Sequence, residues 1–369
     1  MSPEKKRTHD PNEPHNILPD LPPKINLESP AILKATIKAN RLLGELKGYC
    51  QTLPDPRLLI NTVILQESKD SSAIENIVTT QDELYQAVVS AEELHNISSS
   101  TKEVIRYREA MYLGLEKMKS KSLLTTNTMI QIMQQLKGTS EEVRKNSGTR
   151  LANPITKKII YTPPEGEELI RKKLFSLERF IHDDKNELDP LIKMALIHYQ
   201  FEAIHPFSDG NGRTGRILNV LYLVQQQLLT LPVLYLSSYI INHKTDYYRL
   251  LREVTENQNW EDWILYMLNA IAETSQVTLQ KIDAIQKLKE ETFVKVKDIL
   301  KASFNRDLVD VNFSFPYVKI KTLEAHKIAK RQTASTYLQE LAKAGILHPM
   351  KIRKEIYYIN VKLMDIISK

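Results

Sequence analysis

The stretch HPFSDGNGRTGR, residues 205–216, concentrates three glycines, two arginines, an aspartate and a histidine between two apolar helical patterns. A loop that leads into a helix offers free backbone N–H groups and the positive end of the helix dipole, and both favour an anion. Gly210 and Gly212 allow the backbone to approach that anion closely. Arg213 and Arg216 supply forked donors that suit a polyphosphate. We therefore expect this loop to bind a nucleotide.

Two further side chains of the loop indicate what would happen to the nucleotide. Asp209 would repel a polyphosphate unless a hard cation lies between them, which indicates Mg²⁺. His205 is the group of this loop that can take a proton near neutral pH, so it is a candidate base. Each residue alone could be a turn former or a surface charge, but their combination in one short loop indicates a site. The loop lacks the G-x-x-x-x-G-K-[ST] and strand-linked G-x-G-x-x-G patterns, which excludes a P-loop ATPase and a Rossmann domain.

Composition limits the class of protein. The chain has 369 residues, of which 42% are hydrophobic and 26% charged, so we expect two or three globular units. Its one cysteine, Cys50, excludes an internal disulfide and fits a reducing compartment. No window approaches a transmembrane length, and no apolar run follows the basic residues near the N-terminus. A cytoplasmic protein without membrane contact is the expectation.

Helical periodicity dominates the chain after a proline-rich arm, and one segment departs from it. RLANPITKKIIYTPP, residues 150–164, is β-branched, aromatic and punctuated by prolines, which predicts a short hairpin or flap. The predicted fold is mainly α with one hairpin flap and a small additional domain at the C-terminus. The expected units are an extended arm (1–28), an N-terminal helical region (29–104), a catalytic core (105–289) and a winged-helix domain (290–369).

The C-terminal unit carries the net charge of +6, because residues 290–369 hold 15 Lys/Arg against 9 Asp/Glu. Helical patterns in TFVKVKDILKA, VKIKTLEAHKI and RQTASTYLQELAKAGIL, followed by the strand-like HPMKIRKEIYYIN, give the element order of a winged helix. A DNA contact would use the basic side chains Arg331, Lys343, Lys351, Arg353 and Lys354. The last of the three helices is only lightly basic at its start, which favours protein contact or weak DNA binding.

The loop also matches a known signature. HPFSDGNGRTGR agrees at every defining position with H-x-F-x-[DE]-G-N-G-R-x-x-R, so the chain resembles the Fic family over most of its length. That resemblance implies a helical core with a flap, to which a winged helix is often appended. It also implies an enzyme that moves AMP from ATP to a Ser, Thr or Tyr hydroxyl of a target protein, itself included. Mg²⁺ would be the cofactor and pyrophosphate the leaving group.

The resemblance assigns roles within the loop. His205 would deprotonate the target hydroxyl, Phe207 would pack inward, and Asp209 would hold Mg²⁺ against the phosphates. Gly210 stands where the related Doc-like kinases carry alanine, which favours adenylyl transfer over phosphorylation. The residues implied to contact ATP are Gly210, Asn211, Gly212, Arg213, Thr214, Gly215 and Arg216, with Asn211 reaching the α-phosphate and the two arginines the β- and γ-phosphates.

Three positions outside the loop follow from the same resemblance. Tyr161, at the end of the target-docking flap, would lie beside ATP and target, and Asn242 would contact the nucleotide. Tyr248, together with Tyr247, would line the adenine pocket. Core aromatic residues on a helix are an equally good interpretation of these two tyrosines.

The string SSAIEN, residues 71–76, is by itself a serine-containing helical turn with one acidic residue. Beside a Fic loop it resembles the inhibitory pattern [ST]-x-x-x-E-[GN], with Ser71, Glu75 and Asn76 at the defining positions. In the class inhibited from the N-terminal side, the glutamate reaches Arg216 and displaces the γ-phosphate. This implies an autoinhibited enzyme, and relatives with this layout often form homodimers.

Two other functions stay open on the sequence alone. The same site could remove AMP from a modified protein, with Glu75 positioning water. Alternatively, the protein could be a regulator whose winged helix binds DNA while its core senses nucleotide.

Overall fold

The structure, a computed structural model, describes residues 9–51, 57–89, 97–121, 123–153, 156–352 and 355–368. The helices are α1 Pro30–Gln51, α2 Arg57–Ile74, α3 Gln81–Val89, α4 Ser99–Lys121, α5 Thr126–Lys137, α6 Glu167–Ile181, α7 Pro190–Ile204, α8 Asn211–Gln225, α9 Leu236–Asn242, α10 Lys244–Asn257, α11 Trp260–Leu300, α12 Arg306–Ser314, α13 Ile320–Ala325, α14 Arg331–Lys343 and α15 Val361–Ser368. The strands are β1 Leu151–Ala152, β2 Ile159–Tyr161, β3 Tyr317–Val318, β4 His348–Ile352 and β5 Glu355–Ile359. The mainly helical fold expected from the sequence is confirmed.

Helix α7 lies at the centre of the larger hydrophobic core. Its sequence PLIKMALIHYQFEAI is apolar around the whole helix rather than along one stripe, which favours burial on every side. Nearly all of its side chains are buried, and α1, α6, α8 and α11 pack against it. Asp189 caps its N-terminus by accepting a hydrogen bond from the Leu191 N–H at 2.8 Å. The helix thereby holds its C-terminal end, and the loop that follows, in a fixed position.

The predicted flap is present as strands β1 and β2, which pair antiparallel with an irregular register. Arg144 fastens the segment that leads into the flap, because its guanidinium donates to the carbonyls of His205 (2.8 Å) and Pro164. The flap therefore has a fixed base beside the α7–α8 loop.

The N-terminal arm is packed against the body of the protein. The His15 N–H donates to the carbonyl of Thr162 at the end of the flap, at 3.0 Å. Lys173 of α6 donates to the carbonyl of Leu18 at 2.6 Å, and the Leu18 side chain is buried in the larger core. The arm thus forms part of the wall around the flap.

The C-terminal region has a three-stranded sheet of order β3-β5-β4 flanked by α12 to α15, and the predicted two-stranded wing is β4 and β5. One sequence expectation was wrong. TFVKVKDILKA is the end of α11 and not a separate helix, because no glycine or proline interrupts Trp260–Leu300. The boundary predicted at residue 290 therefore lies inside a continuous helix. The sequence analysis also missed α12, β3 and α15.

The smaller core is shared between the C-terminal region and the N-terminal helices. Leu65 of α2 and Tyr85 of α3 belong to the same buried cluster as Leu308 and Phe313. Tyr317 of β3 stacks on Tyr85 with 5.6 Å between ring centroids. Helices α2 and α3 are consequently held from the C-terminal side as well. Among the described residues, no helix is long and apolar enough to cross a lipid bilayer.

Candidate active site

The loop between α7 and α8 is shaped by two residues with positive φ and by one internal amide. His205 (φ 48°) ends α7, and Gly210 (φ 81°) precedes the first turn of α8. The Asn211 side chain accepts from the Phe207 N–H and donates to the Phe207 carbonyl, both at 2.8 Å. The Phe207 ring is fully buried beside Phe201. Asn211 therefore closes the loop on itself, and the contact of its side chain with the α-phosphate, which the resemblance implies, stays a prediction.

His205 is partly buried and lines the cavity described below. Its carbonyl accepts from Arg144, and its Nδ1 has no hydrogen-bond partner among the described residues. Burial, assisted by the nearby positive charge of Arg144, lowers the pKa of the imidazole to about 4. The ring is therefore neutral, and able to act as a base, over the physiological pH range.

Asp209 is the most exposed charged group of the loop, with 58% of its side chain accessible. Its Oδ2 lies 2.6 Å from the Lys137 Nζ, and its Oδ1 lies 3.5 Å from Arg213 Nη2. Partial burial alone would raise the pKa of this carboxyl, but Lys137 and Arg213 together hold it below its usual value. Asp209 is thus a carboxylate that can attract a cation at the mouth of the loop.

The two arginines of α8 are buried and already paired. Arg216 donates from Nε to the Ser71 Oγ (2.7 Å) and from Nη2 to the Ser71 carbonyl (2.8 Å) and Glu75 Oε1 (2.8 Å). Arg213 donates from Nε to Glu75 Oε2 (2.9 Å) and from Nη1 to Glu103 Oε2 (2.7 Å). Burial alone would lower the pKa of Arg216, but the neighbouring anionic groups, Glu75 foremost, raise it above its ordinary value. Glu75 therefore bridges both arginines, one more than the sequence analysis expected.

Glu75 also covers the start of α8. A Cβ atom built on Gly212 would lie 2.6 Å from Glu75 Oε1, so the carboxylate sits directly over the first helical turn. Asn76 follows it with φ 65°, a left-handed conformation that asparagine and glycine adopt most readily. That requirement gives a physical reason for Asn or Gly after the glutamate. The end of α2 thus places an anion where the helix dipole and backbone N–H groups of α8 would bind one.

A cavity of about 1020 Å³ opens beside this cluster. His205, Asp209, the first residues of α8 and Glu75 line this cavity. Ile160 of the flap and Tyr248 and Arg252 of α10 also line it. The cavity is therefore wide enough for a nucleotide and reaches from the base candidate to the flap.

The remaining sequence-predicted residues lie at different distances from the cavity. Tyr248 is about half exposed and lines it, whereas Tyr247 is buried with its hydroxyl 2.9 Å from His198 Nε2. Tyr161 also lines the cavity, but its hydroxyl donates to the Ala203 carbonyl at 2.8 Å. Asn242 is exposed at the end of α9 and is not among the described residues that line the cavity.

Two of the residues predicted to contact ATP, Thr214 and Gly215, face the interior of the protein. Thr214 is fully buried, and a Cβ atom on Gly215 would meet Glu202 Oε1 at 2.5 Å on the α7 side. These positions serve the packing of α8 against α7.

Of the basic residues proposed for DNA contact, Arg331 and Lys351 are exposed, and Arg353 and Lys354 lie outside the described residues.

Four charged residues near the site were not identified from the sequence. Glu103 and Lys137 bind Arg213 and Asp209, and Arg144 binds the His205 carbonyl. These partners are far apart in the chain, so no local spacing reveals them. Glu202 did leave a signal, since it is the one acidic residue on the mostly apolar helix α7. Burial raises the pKa of its carboxyl to about 7, although Arg216 opposes the shift.

Few side chains near the α7–α8 loop could bind a cation. Among the described residues, no group of three or more His, Cys, Asp and Glu side chains is arranged to hold a metal ion. Mg²⁺ is commonly bound by one or two carboxylates together with substrate phosphates and water rather than by an all-protein cage. The single exposed carboxylate of Asp209, next to an anion-binding helix start, fits such a cation.

The fold and this loop define a helical protein in which a carboxylate covers a buried helix start that a histidine borders. Comparison with known proteins gives the family. The Fic/DOC family N-terminal profile matches residues 33–116, the Fic/DOC family profile residues 123–223, and the C-terminal domain of protein adenylyltransferase SoFic-like residues 288–363. The chain belongs to the Fic/DOC family.

Individual relatives align over short stretches. The protein adenylyltransferase fic-1 of Caenorhabditis elegans is 36% identical over 56 residues, 15% of this chain and 11% of that protein. A probable protein adenylyltransferase of Aquifex aeolicus is 31% identical over 96 residues, 26% of this chain and 27% of that protein. The chain thus aligns with only a small part of these curated relatives.

Solved structures show the shared fold. A Fic family protein from Desulfovibrio desulfuricans G20 has a TM-score of 0.58 at 19% identity and covers 92% of this chain and 98% of its own. Fic-1 from C. elegans has a TM-score of 0.52 at 17% identity and covers 69% of this chain and 74% of its own.

Proposed function

We propose that this protein is an autoinhibited protein adenylyltransferase that moves AMP from ATP to a hydroxyl group of a target protein. The observation that carries the proposal is that His205, whose Nδ1 has no hydrogen-bond partner among the described residues, lines the same cavity as the start of α8. Membership of a family whose curated members are named adenylyltransferases supports the choice of reaction.

The start of α8 supplies the binding site for the triphosphate. Gly212 leaves room for a phosphate at the position that Glu75 now covers, and the helix dipole and backbone N–H groups favour the anion. Arg213 and Arg216 would add charge-assisted hydrogen bonds once Glu75 has left. Asp209 would hold Mg²⁺ against the phosphates, and that cation would neutralise charge that builds up during transfer.

The transfer of AMP to the target hydroxyl then requires one proton transfer. The target hydroxyl oxygen attacks the α-phosphorus while the bond to the pyrophosphate leaving group breaks, and the hydroxyl proton passes to the imidazole of His205. The low pKa of His205 keeps the imidazole unprotonated before this step. Much of the remaining rate enhancement in such transfers comes from positioning and charge stabilisation, which the fixed α7–α8 loop provides.

Autoinhibition follows from competition between two anions. Glu75 and the end of the triphosphate would compete for Arg213 and Arg216. Glu75 is held in place because Arg216 also donates a hydrogen bond to the carbonyl of Ser71 in α2. While Glu75 stays, the triphosphate can bind only in a displaced position. A homodimer, and weak DNA or protein contact through the C-terminal region, belong to the same proposal.

The test is incubation of the full chain with ATP labelled in the α-phosphate and Mg²⁺, with and without a cell lysate. Labelling of the chain itself or of lysate proteins is expected, and it should be weak unless Glu75 is replaced. Incubation with pre-adenylylated protein measures the reverse reaction, which Glu75 could support from its place in the cavity. Failure to label any protein, combined with release of AMP from modified protein, would favour the reverse reaction instead.

A further inference from the structure

The segment that forms the flap has an unusual charge. Residues 144–164 contain five Lys or Arg residues and no Asp or Glu. Two of the five have structural partners, since Arg144 binds backbone carbonyls and Lys145 lies 3.4 Å from Glu167. The other three, Arg150, Lys157 and Lys158, are exposed and make no ion pair with any described residue.

The opposite wall of the cavity adds further positive charge. Arg252 of α10 lines the cavity, is exposed, and makes no ion pair within the described part of the chain. Arg249 also lines it but is neutralised by Asp246 at 2.9 Å. Two acidic groups lie nearby, Asp10 and Glu256, of which Glu256 also lines the cavity, and each has an interaction of its own. A rim of exposed cations that make no ion pair with a described residue therefore extends from the flap to α10.

This rim is separate from the phosphate site. The arginines of α8 that suit a triphosphate are buried and bound by Ser71, Glu75 and Glu103, whereas Arg150, Lys157, Lys158 and Arg252 are exposed. Lys157 and Lys158 are not among the described residues lining the cavity, so a nucleotide inside it would not cover them. A chain running along the flap would pass both lysines.

The shape of the flap fits an extended polypeptide. Within the described residues, β2 pairs only with β1, and the arm packs on Tyr161 and binds Thr162, so the edge that a further strand could use is at Ile159 and Ile160. Ile160 offers an apolar contact on the cavity side. Pairing along a sheet edge gives affinity through main-chain hydrogen bonds, and neighbouring side chains decide which sequence is accepted.

We propose that Arg150, Lys157, Lys158 and Arg252 select target segments that carry Asp or Glu close to the hydroxyl residue. The acidic side chains would lie along the outer side of the flap while the hydroxyl enters the cavity towards His205. This inference rests on the proposed adenylyl transfer, and it adds the chemical class of the target segment.

The experiment compares three sets of short peptides with the full-length protein. Each peptide carries one central Ser, Thr or Tyr, flanked by Asp and Glu, by uncharged residues, or by Lys and Arg. Binding is measured by fluorescence anisotropy without ATP, and transfer is measured as kcat/KM with labelled ATP, using both the natural protein and Glu75→Gly. Acidic peptides should bind and react about tenfold better than basic ones at low salt, and the difference should shrink as salt rises.

Charge reversal identifies the residues responsible. The variant Arg150→Glu, Lys157→Glu, Lys158→Glu should reverse the preference, so that basic peptides bind better, while the KM for ATP stays unchanged.

The matched control replaces the exposed residues Lys34, Lys38 and Arg41 of α1 by Glu, which changes the net charge by the same amount. This control should retain the acidic preference.

Three outcomes separate the claims. Equal binding of the three peptide sets would overturn the proposed surface, whatever the activity. A raised KM for ATP with unchanged peptide preference would also overturn it, because the cations would then serve the nucleotide. Preferential binding of acidic peptides without any AMP transfer, to peptides or to the chain itself, would uphold the surface and contradict the proposed reaction.

Discussion

The carboxylate of Glu75, in the turn after α2, lies 2.8 Å from Nη2 of Arg216 of α8, although 141 residues separate the two positions in the chain. The same carboxylate reaches Arg213 at 2.9 Å and lies over Gly212. Because the guanidinium groups are almost completely buried, they have few alternative partners when Glu75 is in place. The end of α2 therefore occupies the groups that a triphosphate would need.

Replacing Glu75 by glycine should raise AMP transfer and self-modification. If the carboxylate-bound arrangement is favoured by about 1.4–2.8 kcal/mol, its removal should activate the enzyme roughly 10- to 100-fold. The measurement is the rate of labelled AMP incorporation by the full chain. The double variant with His205→Ala should stay inactive.

Glu103→Gln is the matched control for that experiment. Glu103 binds Arg213 as Glu75 does, but it makes no contact with Arg216. We expect much weaker activation from this variant. An unchanged rate for Glu75→Gly, in a protein that is folded and binds ATP, would refute autoinhibition by this residue.

His205→Ala should abolish transfer while ATP binding is nearly unchanged, because the imidazole acts on the target hydroxyl. Loss of a general base lowers rates by about 10²- to 10⁴-fold. The control is His326→Ala, which alters an exposed histidine in the C-terminal region. Transfer at the full rate by His205→Ala would show that another group is the base.

The pH dependence of kcat/KM provides an independent check on His205. A histidine whose pKa is lowered to about 4 stays neutral well below its ordinary value of 6.5. In the Glu75→Gly background, kcat/KM should therefore show no loss of activity centred near 6.5 as the pH falls, since this parameter reports the free enzyme. A single-proton decline at that pH, absent from a substrate control, would contradict the buried state of the imidazole.

Asp209→Ala should reduce transfer and weaken its dependence on Mg²⁺. The carboxylate is the exposed acidic group of the loop, and an anion facing a triphosphate is tolerable only across a cation. Titration of the rate against Mg²⁺ is the measurement, with Asp246→Ala as an acidic control on α10. An identical Mg²⁺ curve for Asp209→Ala would remove this residue from the cation site.

Local patterns explain how much could be predicted from the sequence. The α7–α8 loop is contiguous, so its glycines and arginines reveal an anion site without knowledge of the fold. The flap and most helices follow from periodicity and from proline punctuation. The continuous α11 was missed because a change of composition near residue 290 was interpreted as a domain boundary, although nothing there breaks a helix.

Long-range partners could not be predicted in this way. Arg144 binds the carbonyl of His205, and Lys137 binds Asp209, across many tens of residues. Only the packing of α4 and α5 against α8, and of the flap base against the α7–α8 loop, brings these groups together. For the same reason, no spacing indicated that the hydroxyl of Tyr161 would bind the Ala203 carbonyl.

A buried carboxyl on α2 should make the stability of the protein depend on pH. Glu67 is 1% exposed and accepts hydrogen bonds from the N–H of Ser237 (2.9 Å) and from the hydroxyls of Ser237 (2.5 Å) and Tyr107 (3.2 Å). Burial raises the pKa of this carboxyl from 4.5 to about 7, and the hydrogen bonds only partly oppose the shift. The folded state therefore binds the proton more tightly than the unfolded chain does.

The linkage between proton binding and folding gives the sign of the pH effect on stability. Because the folded pKa is the higher one, the contribution of Glu67 is most favourable below pH 4.5 and is lost as the pH rises towards about 7. Glu67→Gln cannot ionise, so the stability of the natural protein relative to this variant should fall across that interval, by on the order of 3 kcal/mol at most. Denaturant unfolding of both proteins at a series of pH values measures this difference, and pH effects from other groups, including Glu202, cancel in the comparison. A difference that stays constant from pH 4.5 to 7 would show that Glu67 does not titrate in this interval.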